Sequence, residues 1–237
     1  MSTSLQYVGA LFKFTWKHLR SRYWYYIALV IVGIVISVVL MPHDRELLNA
    51  IRKNPVLYPG VHDLAGKVSY YSMYTFTPLM LCFLLWMAGW QTGKARFKRA
   101  ALVCFVAATA AGILVNVLRP GFGRPRPRAG LEDHFYYLEF SSDMLSYPSG
   151  HVMSNMGGAA ALTVLEPWVG IPYIIISGAS GWSRMQRNAH YPTDVIVGAL
   201  FGIGVGIAFA QGARLMKKEE DPLEKEQQSP TSASGQS

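Results

Sequence analysis

Two short stretches of this 237-residue chain set histidine beside hydroxyl, arginine and carboxylate groups. One is "PSGH", Pro148 to His151; the other is "SRMQRNAHYPTD", Ser183 to Asp194. A third stretch, "RPGFGRPRPR", gathers Arg119, Arg124, Arg126 and Arg128 within ten residues with no acid among them. Crowded guanidinium groups repel unless an anion binds between them, and their planar fork matches phosphate oxygens. Pro120, Pro125, Pro127, Gly121 and Gly123 fix that turn rather than leave it slack.

In "PSGH", Pro148 closes a loop, Ser149 suits a helix N-cap, and Gly150 lets backbone approach a ligand. The helix start offers free N–H groups and partial positive charge to an anion, with His151 in its first turn. In the other stretch Pro192 suits the first turn of a helix. That places His190 at the helix mouth and Asp194 within reach of a histidine nitrogen. A carboxylate there fixes the imidazole tautomer and leaves the second nitrogen nucleophilic. Arg184 adds a phosphate donor, and Ser183 is placed to position it.

The chemistry these groups suit is phosphoryl transfer. Arginines and helix starts stabilise the charged equatorial oxygens, one histidine attacks phosphorus in line, and the other protonates the leaving oxygen. The acids Glu132, Asp133, Glu139, Asp143 and Asp194 form no two-metal pattern. Each stretch alone also fits a structural role: head-group contact for the arginines, a capping histidine, a salt-bridged loop. Arg124 and Arg128 fit either a second phosphate or a solvated surface. In the loop Leu131 to Tyr147, the aromatics Phe135, Tyr136, Tyr137 and Phe140 fit either a lipid entrance or plain loop packing.

The elements that must carry these groups are apolar. Tyr23 to Met41, Tyr70 to Trp90, Ala100 to Leu118 and Val195 to Ala213 are long apolar runs, all four without a charge. Each approaches the roughly 20 residues that cross a bilayer as a helix. Val152 to Leu165 and Trp168 to Trp182 are shorter runs whose small residues suit close helix packing. The expectation is an all-α bundle of six transmembrane helices over residues 23–216. Residues 1–22 form an amphipathic juxtamembrane segment, with Leu5, Val8, Leu11 or Phe12, Trp16 and Leu19 at helical spacing. Residues 217–237 read as a disordered polar tail. The first run is too long for a cleaved signal core and lacks a small-residue cleavage site after it.

The net charge of +8 does not point to nucleic acid, because the basic residues cluster at helix ends. Lys13, Lys17, Arg20 and Arg22, then Lys94, Arg96, Lys98 and Arg99, then Arg214, Lys217, Lys218 and Lys225 fall on one side of a six-helix topology. That side is expected to be the cytoplasm, with both termini there and the polar connectors on the outer or periplasmic face. Cys82 and Cys104 fall inside apolar helices and read as structural thiols.

At this point the residues resemble a known family, the type 2 phosphatidic acid phosphatase (PAP2) superfamily. "PSGH" matches one of its motifs at Pro148 to His151, and Ser183, Arg184, His190 and Asp194 match another with its spacing. The remaining motif matches at Arg126 and Pro127, with Arg119 where the family carries lysine. The motifs span residues 119–194. The resemblance implies His190 as the nucleophile that forms a phosphohistidine, Asp194 as its orienting partner and His151 as the acid. It implies Arg119, Arg126 and Arg184 as phosphate ligands, assisted by Ser149, the Gly150 N–H and Ser183. It implies neither metal nor cofactor, and a site at the bilayer surface. The expected activity is hydrolysis of a lipid phosphate or diphosphate of the undecaprenyl diphosphate, phosphatidylglycerophosphate, phosphatidate or lipid A class. Transfer of the phosphate to another lipid, or a non-catalytic binding or transport role, are the alternatives.

Overall fold

The computed structural model describes residues 3–73 and 76–219. Its elements are helices: α1 Thr3–Ser21, α2 Tyr23–Leu40, α3 Asp44–Ile51, α4 Pro59–Tyr71, α5 Phe76–Thr92, α6 Ala95–Phe122, α7 Gly150–Leu165, α8 Pro167–Gln186 and α9 Pro192–Glu219. Five of the six apolar runs each fall on one α-helix to within a residue, whereas the run Tyr70 to Trp90 is divided: its first two residues end α4 and its remainder, from Phe76, forms α5. The tail beyond Glu219 lies outside the described residues, while Lys217 and Lys218 continue α9.

α7 is the centre of the bundle and packs on α9, α6 and α8. Its sequence explains that place. It is apolar or small all round, with Gly157, Gly158, Ala159, Ala160 and Ala161 in a row, so neighbours approach from every side. The seam with α9 is closest. Gly198, Gly202 and Gly206 of α9 lie against the backbone carbonyls of Ser149, Met153 and Gly157 in turn, and a Cβ at Gly198 would stand 2.7 Å from the Ser149 oxygen. This four-residue spacing of small residues lets two helix backbones touch.

α2 (within Tyr23–Ile51), α6 (within Ala95–Ala129) and α9 are long and apolar enough to cross a membrane, and α4 with α5 pass the same test as a pair bent by 52°. Only 11% of the α2 window is buried inside the protein. Val30, Ile31, Ile34, Val35, Val38 and Val39 are all exposed on it. So wide an apolar face is stable against lipid, not water. α7 and α8 form where the shorter runs predict them but do not meet that length and apolarity.

The N-terminal helix differs from its expected packing. α1 lies along α9 and buries Tyr7, Leu11 and Phe14 against Phe209, Ala210, Ala213 and Met216. Leu5, Phe12 and Trp16 are exposed. The apolar residues at helical spacing therefore divide between a protein-facing side and an outward side. Cys82 and Cys104 are buried free thiols in one cluster between α5, α6, α7 and α8.

Candidate active site

α6 ends at an arginine-rich turn because its last turn holds Pro120 and its C-cap Gly123 adopts a left-handed conformation (φ 58°) with its N–H bonded to Arg119 O. That conformation favours glycine. Pairing continues across the loop: Tyr136 N donates to Gly123 O and Tyr137 N to Phe122 O. Arg119 thus leaves the end of α6, and its Nε donates to Pro148 O at 2.9 Å. Its guanidinium lies so near Gly150 that a Cβ there would stand 2.5 Å from a terminal nitrogen.

The starts of α7 and α9 are tied together, Ser149 N donating to Asp194 O at 2.9 Å. Ser149 holds the N-cap position of α7, but its hydroxyl makes no capping bond. Sequence reasoning had it as a cap by side chain; here Ser149 Oγ is buried without a partner among the described residues. Within the three motifs, four buried nitrogens share that condition: Arg119 Nη2, Arg126 Nε, Arg184 Nε and His190 Nε2. Unsatisfied buried donors are costly and uncommon. Here they come from every motif and belong to the residue types that bind phosphate. Arg184 is held from the far side by Ser69 Oγ of α4 at 3.0 Å.

His190 is fully buried. Its Nδ1 lies 3.6 Å from Asp194 Oδ2, too long for a direct hydrogen bond, and 3.4 Å from Ser146 Oγ. Ser146 in turn donates to Asp194 Oδ2 at 2.6 Å, and Tyr191 N donates to the same oxygen at 2.9 Å. The carboxylate predicted beside the histidine is present, with a serine hydroxyl shared between them. Burial, opposed by Asp194, lowers the His190 pKa to about 3, so the imidazole is neutral, and its Nε2 is buried without a partner among the described residues. Burial and then the Arg184 charge lower His151 to about 3 as well.

Arg124 departs from both roles open to it from sequence. It is 1% exposed, and neither solvated nor turned to a ligand. Its guanidinium grips Asp133 by two nitrogens (2.8 and 2.7 Å), Asp44 at 2.8 Å and Asp194 at 2.6 Å. It also stacks 4.3 Å over Tyr191. Asp44 completes the knot by accepting from Thr193 N and Oγ1 in the first turn of α9. Arg128, by contrast, is exposed and paired with Asp143 at 2.8 Å.

Ser183 is the sequence-predicted site residue that stands apart. Its buried hydroxyl donates back to Ser180 O at 2.7 Å within α8, so it supports the helix below Arg184. The loop aromatics divide: Phe135 packs on Phe122 and Tyr147, whereas Tyr137, Leu138 and Phe140 are exposed. Sequence reasoning missed Ser146, Asp44 and Ser69. Ser146 lies just upstream of "PSGH" and was within sight. Asp44 lies 80 residues from Arg124 and 149 from Thr193, and Ser69 lies 115 from Arg184, in a stretch with no motif. Among the described residues no group of three or more His, Cys, Asp or Glu is arranged to hold a metal ion.

Comparison with known proteins places the chain in one family. The pattern of the PAP2 superfamily matches residues 99–215. A lipid A 1-phosphatase of Rhizobium johnstonii is 33% identical over 62% of this chain and 67% of its own length. A probable diacylglycerol pyrophosphate phosphatase of Schizosaccharomyces pombe is 24% identical over 85% of this chain and 83% of its own. The undecaprenyl-diphosphatase BcrC of Bacillus subtilis is 23% identical over 56% and 68%. No solved structure matches the chain.

Proposed function

This chain belongs to the PAP2 superfamily, and from that premise we propose that it is a membrane phosphatase that releases phosphate from a lipid phosphate or diphosphate. The observation that carries the reading is the cradle of partnerless buried atoms: Arg119 Nη2, Arg126 Nε, Arg184 Nε and Ser149 Oγ, with His190 Nε2 among them. A phosphoryl group supplies equatorial oxygens to the donors and an electrophilic phosphorus to the imidazole.

His190 Nε2 attacks phosphorus, the bond to the leaving oxygen breaks, and its electron pair stays on that oxygen. His151 donates a proton there and then takes one from the water that cleaves the phosphohistidine. Burial first, and then the surrounding arginines, hold the His151 pKa low, and the negative charge of a bound phosphate opposes the arginine contribution and favours the protonated acid. Asp194 and Ser146 hold the His190 tautomer that keeps Nε2 unprotonated.

The relatives' names set the substrate field: lipid A, diacylglycerol pyrophosphate and undecaprenyl diphosphate all carry phosphate on a lipid anchor. The outward apolar face of α2 and the exposed Tyr137 and Phe140 beside the site suit such anchors. The topology is read as six spans, with both termini on the cytoplasmic side and the site on the outer or periplasmic face.

The test is phosphate release by purified protein from a panel of lipid phosphates and diphosphates in EDTA-containing micelles, beside His190→Ala. Release by the wild type and none by the variant is expected, together with an acid-labile phosphoryl label on the wild type. Folded protein that releases phosphate from no lipid would sink the reading.

A further inference from the structure

The cradle has a second tier of arginines outside it. Arg126 and Arg128 stand two residues apart on the turn after α6. Arg184 and Arg187 stand three apart at the end of α8, on one side of that helix. Arg128 N donates to Asn188 O at 3.1 Å, so the two arginine-bearing segments run side by side. The inner members, Arg126 and Arg184, have buried Nε atoms without partners. The outer members, Arg128 and Arg187, are exposed.

α4 repeats the spacing. Arg184 Nη1 bonds Ser69, and Arg187 Nη1 lies 3.3 Å from where a Cβ on Gly66 would stand. Gly66 leaves room for the outer guanidinium one turn from the inner one. Arg128 is oriented by Asp143 Oδ1, which takes its Nε at 3.0 Å and one terminal nitrogen at 2.8 Å. Its other terminal nitrogen and the whole Arg187 guanidinium make no hydrogen bond or ion pair among the described residues.

We propose that Arg128 and Arg187 form a subsite for a second phosphate, which makes a lipid diphosphate the preferred substrate. The inference rests on the phosphatase reading above and narrows it. The terminal phosphoryl group sits in the inner cradle. His190 Nε2 forms a bond to the terminal phosphorus while the bridging P–O bond breaks, and its electron pair stays with the departing lipid monophosphate. Water then attacks the phosphohistidine, inorganic phosphate leaves, and the N–P electron pair returns to Nε2. The outer arginines neutralise the inner, lipid-linked phosphate as it becomes the leaving group. A phosphate monoester, with a second pKa near 6, departs without full protonation, whereas an alkoxide does not. A site in which burial, and then the arginine charges, hold His151 neutral therefore suits a diphosphate better than a monoester.

The experiment compares diacylglycerol pyrophosphate with phosphatidate of the same acyl chains, in the same micelles, using the full-length wild type, Arg128→Gln, Arg187→Gln and the double variant. Loss of a charge-assisted contact lowers kcat/KM by about tenfold or more. That loss is expected on the pyrophosphate, with phosphatidate changed by no more than about twofold. Equal losses on both lipids, or none on either, would overturn the subsite. Wild-type activity on phosphatidate alone would overturn it and leave the phosphatase reading standing. Activity on neither would remove both.

Discussion

Ser146 donates its hydroxyl to Asp194 Oδ2 at 2.6 Å, closer than either residue comes to the His190 ring. The histidine's Nδ1 therefore meets the serine oxygen, and the carboxylate orients the ring through that hydroxyl rather than by a direct hydrogen bond. The hydroxyl also keeps one carboxylate oxygen satisfied in a fully buried setting.

Ser146→Ala removes that shared contact while leaving the ligand groups of the cradle untouched. Outer-shell partners of this sort are worth 10–100-fold, so kcat should fall by about tenfold with KM nearly unchanged. Steady-state kinetics check this beside the unfolding midpoint. A variant whose midpoint drops while kcat holds would reduce Ser146 to a packing role.

Gly150→Ala sets stability against activity. Alanine is a better helix residue than glycine by roughly 1 kcal/mol, so the fold should tolerate it. Its Cβ would meet the Arg119 guanidinium at 2.5 to 2.9 Å and push it from the cradle. Activity should fall by about tenfold or more, the scale of one oriented charge-assisted contact, with the melting temperature unchanged or raised. Unimpaired activity would show that the long arginine side chain repositions freely.

Arg124 answers to stability first. It faces Asp44, Asp133 and Asp194, two of which are fully buried. Removing one member of a buried ionic cluster costs about 3–5 kcal/mol. Arg124→Met should lower the thermal midpoint sharply in detergent. Arg124→Lys, which keeps the charge but loses the fork, should fall between it and the wild type. A methionine variant as stable as the wild type would mean the knot contributes nothing net.

His190 gives a pH dependence with a definite sign. Its pKa is lowered from 6.5 to about 3 by burial. Between those values the unfolded chain binds a proton that the native chain refuses, so stability rises with pH there. The contribution is complete above about pH 6.5 and is lost as pH falls toward 3. In phosphate-free micelles the wild-type midpoint should drop more steeply over this window than that of His190→Gln. Parallel slopes would mean the native histidine protonates normally.

The helices were legible because each is an apolar run bounded by Gly, Pro or charge; five of the six runs fall on single helices, and the run Tyr70 to Trp90 divides where α4 gives way to α5 at a 52° bend that no apolar pattern marks. The residues proposed to hold phosphate could be picked out because arginine, serine and histidine recur at fixed local spacings in connectors, and atoms of Arg119, Arg126, Arg184, Ser149 and His190 are buried without partners among the described residues. Arg124 was visible as a residue and opaque in role. Whether a guanidinium binds ligand or ties down carboxylates depends on Asp44 and Asp133, and no local pattern links Asp44 to Thr193. Ser183 failed differently: a hydroxyl inside a helix finds a carbonyl of its own previous turn, here Ser180, before it finds a ligand. The outward side of α1 misled because its apolar residues cover more than one face.

The run of Gly198, Gly202 and Gly206 along α7 has a consequence for how such a site diversifies. Where two backbones touch, their relative height is set by main-chain shape, and repacking of side chains cannot retune it. Ser149 and Asp194 are pinned at the top of that contact. The separation of the two histidines is thereby removed from the variables that substitution can adjust gradually. New substrates must be accommodated by the parts of the connectors that carry no site residue, such as 52–58 and 134–142, which can lengthen or change composition while the reacting atoms keep their spacing. A lineage of such enzymes would drift in its outer loops and stand still along the rail.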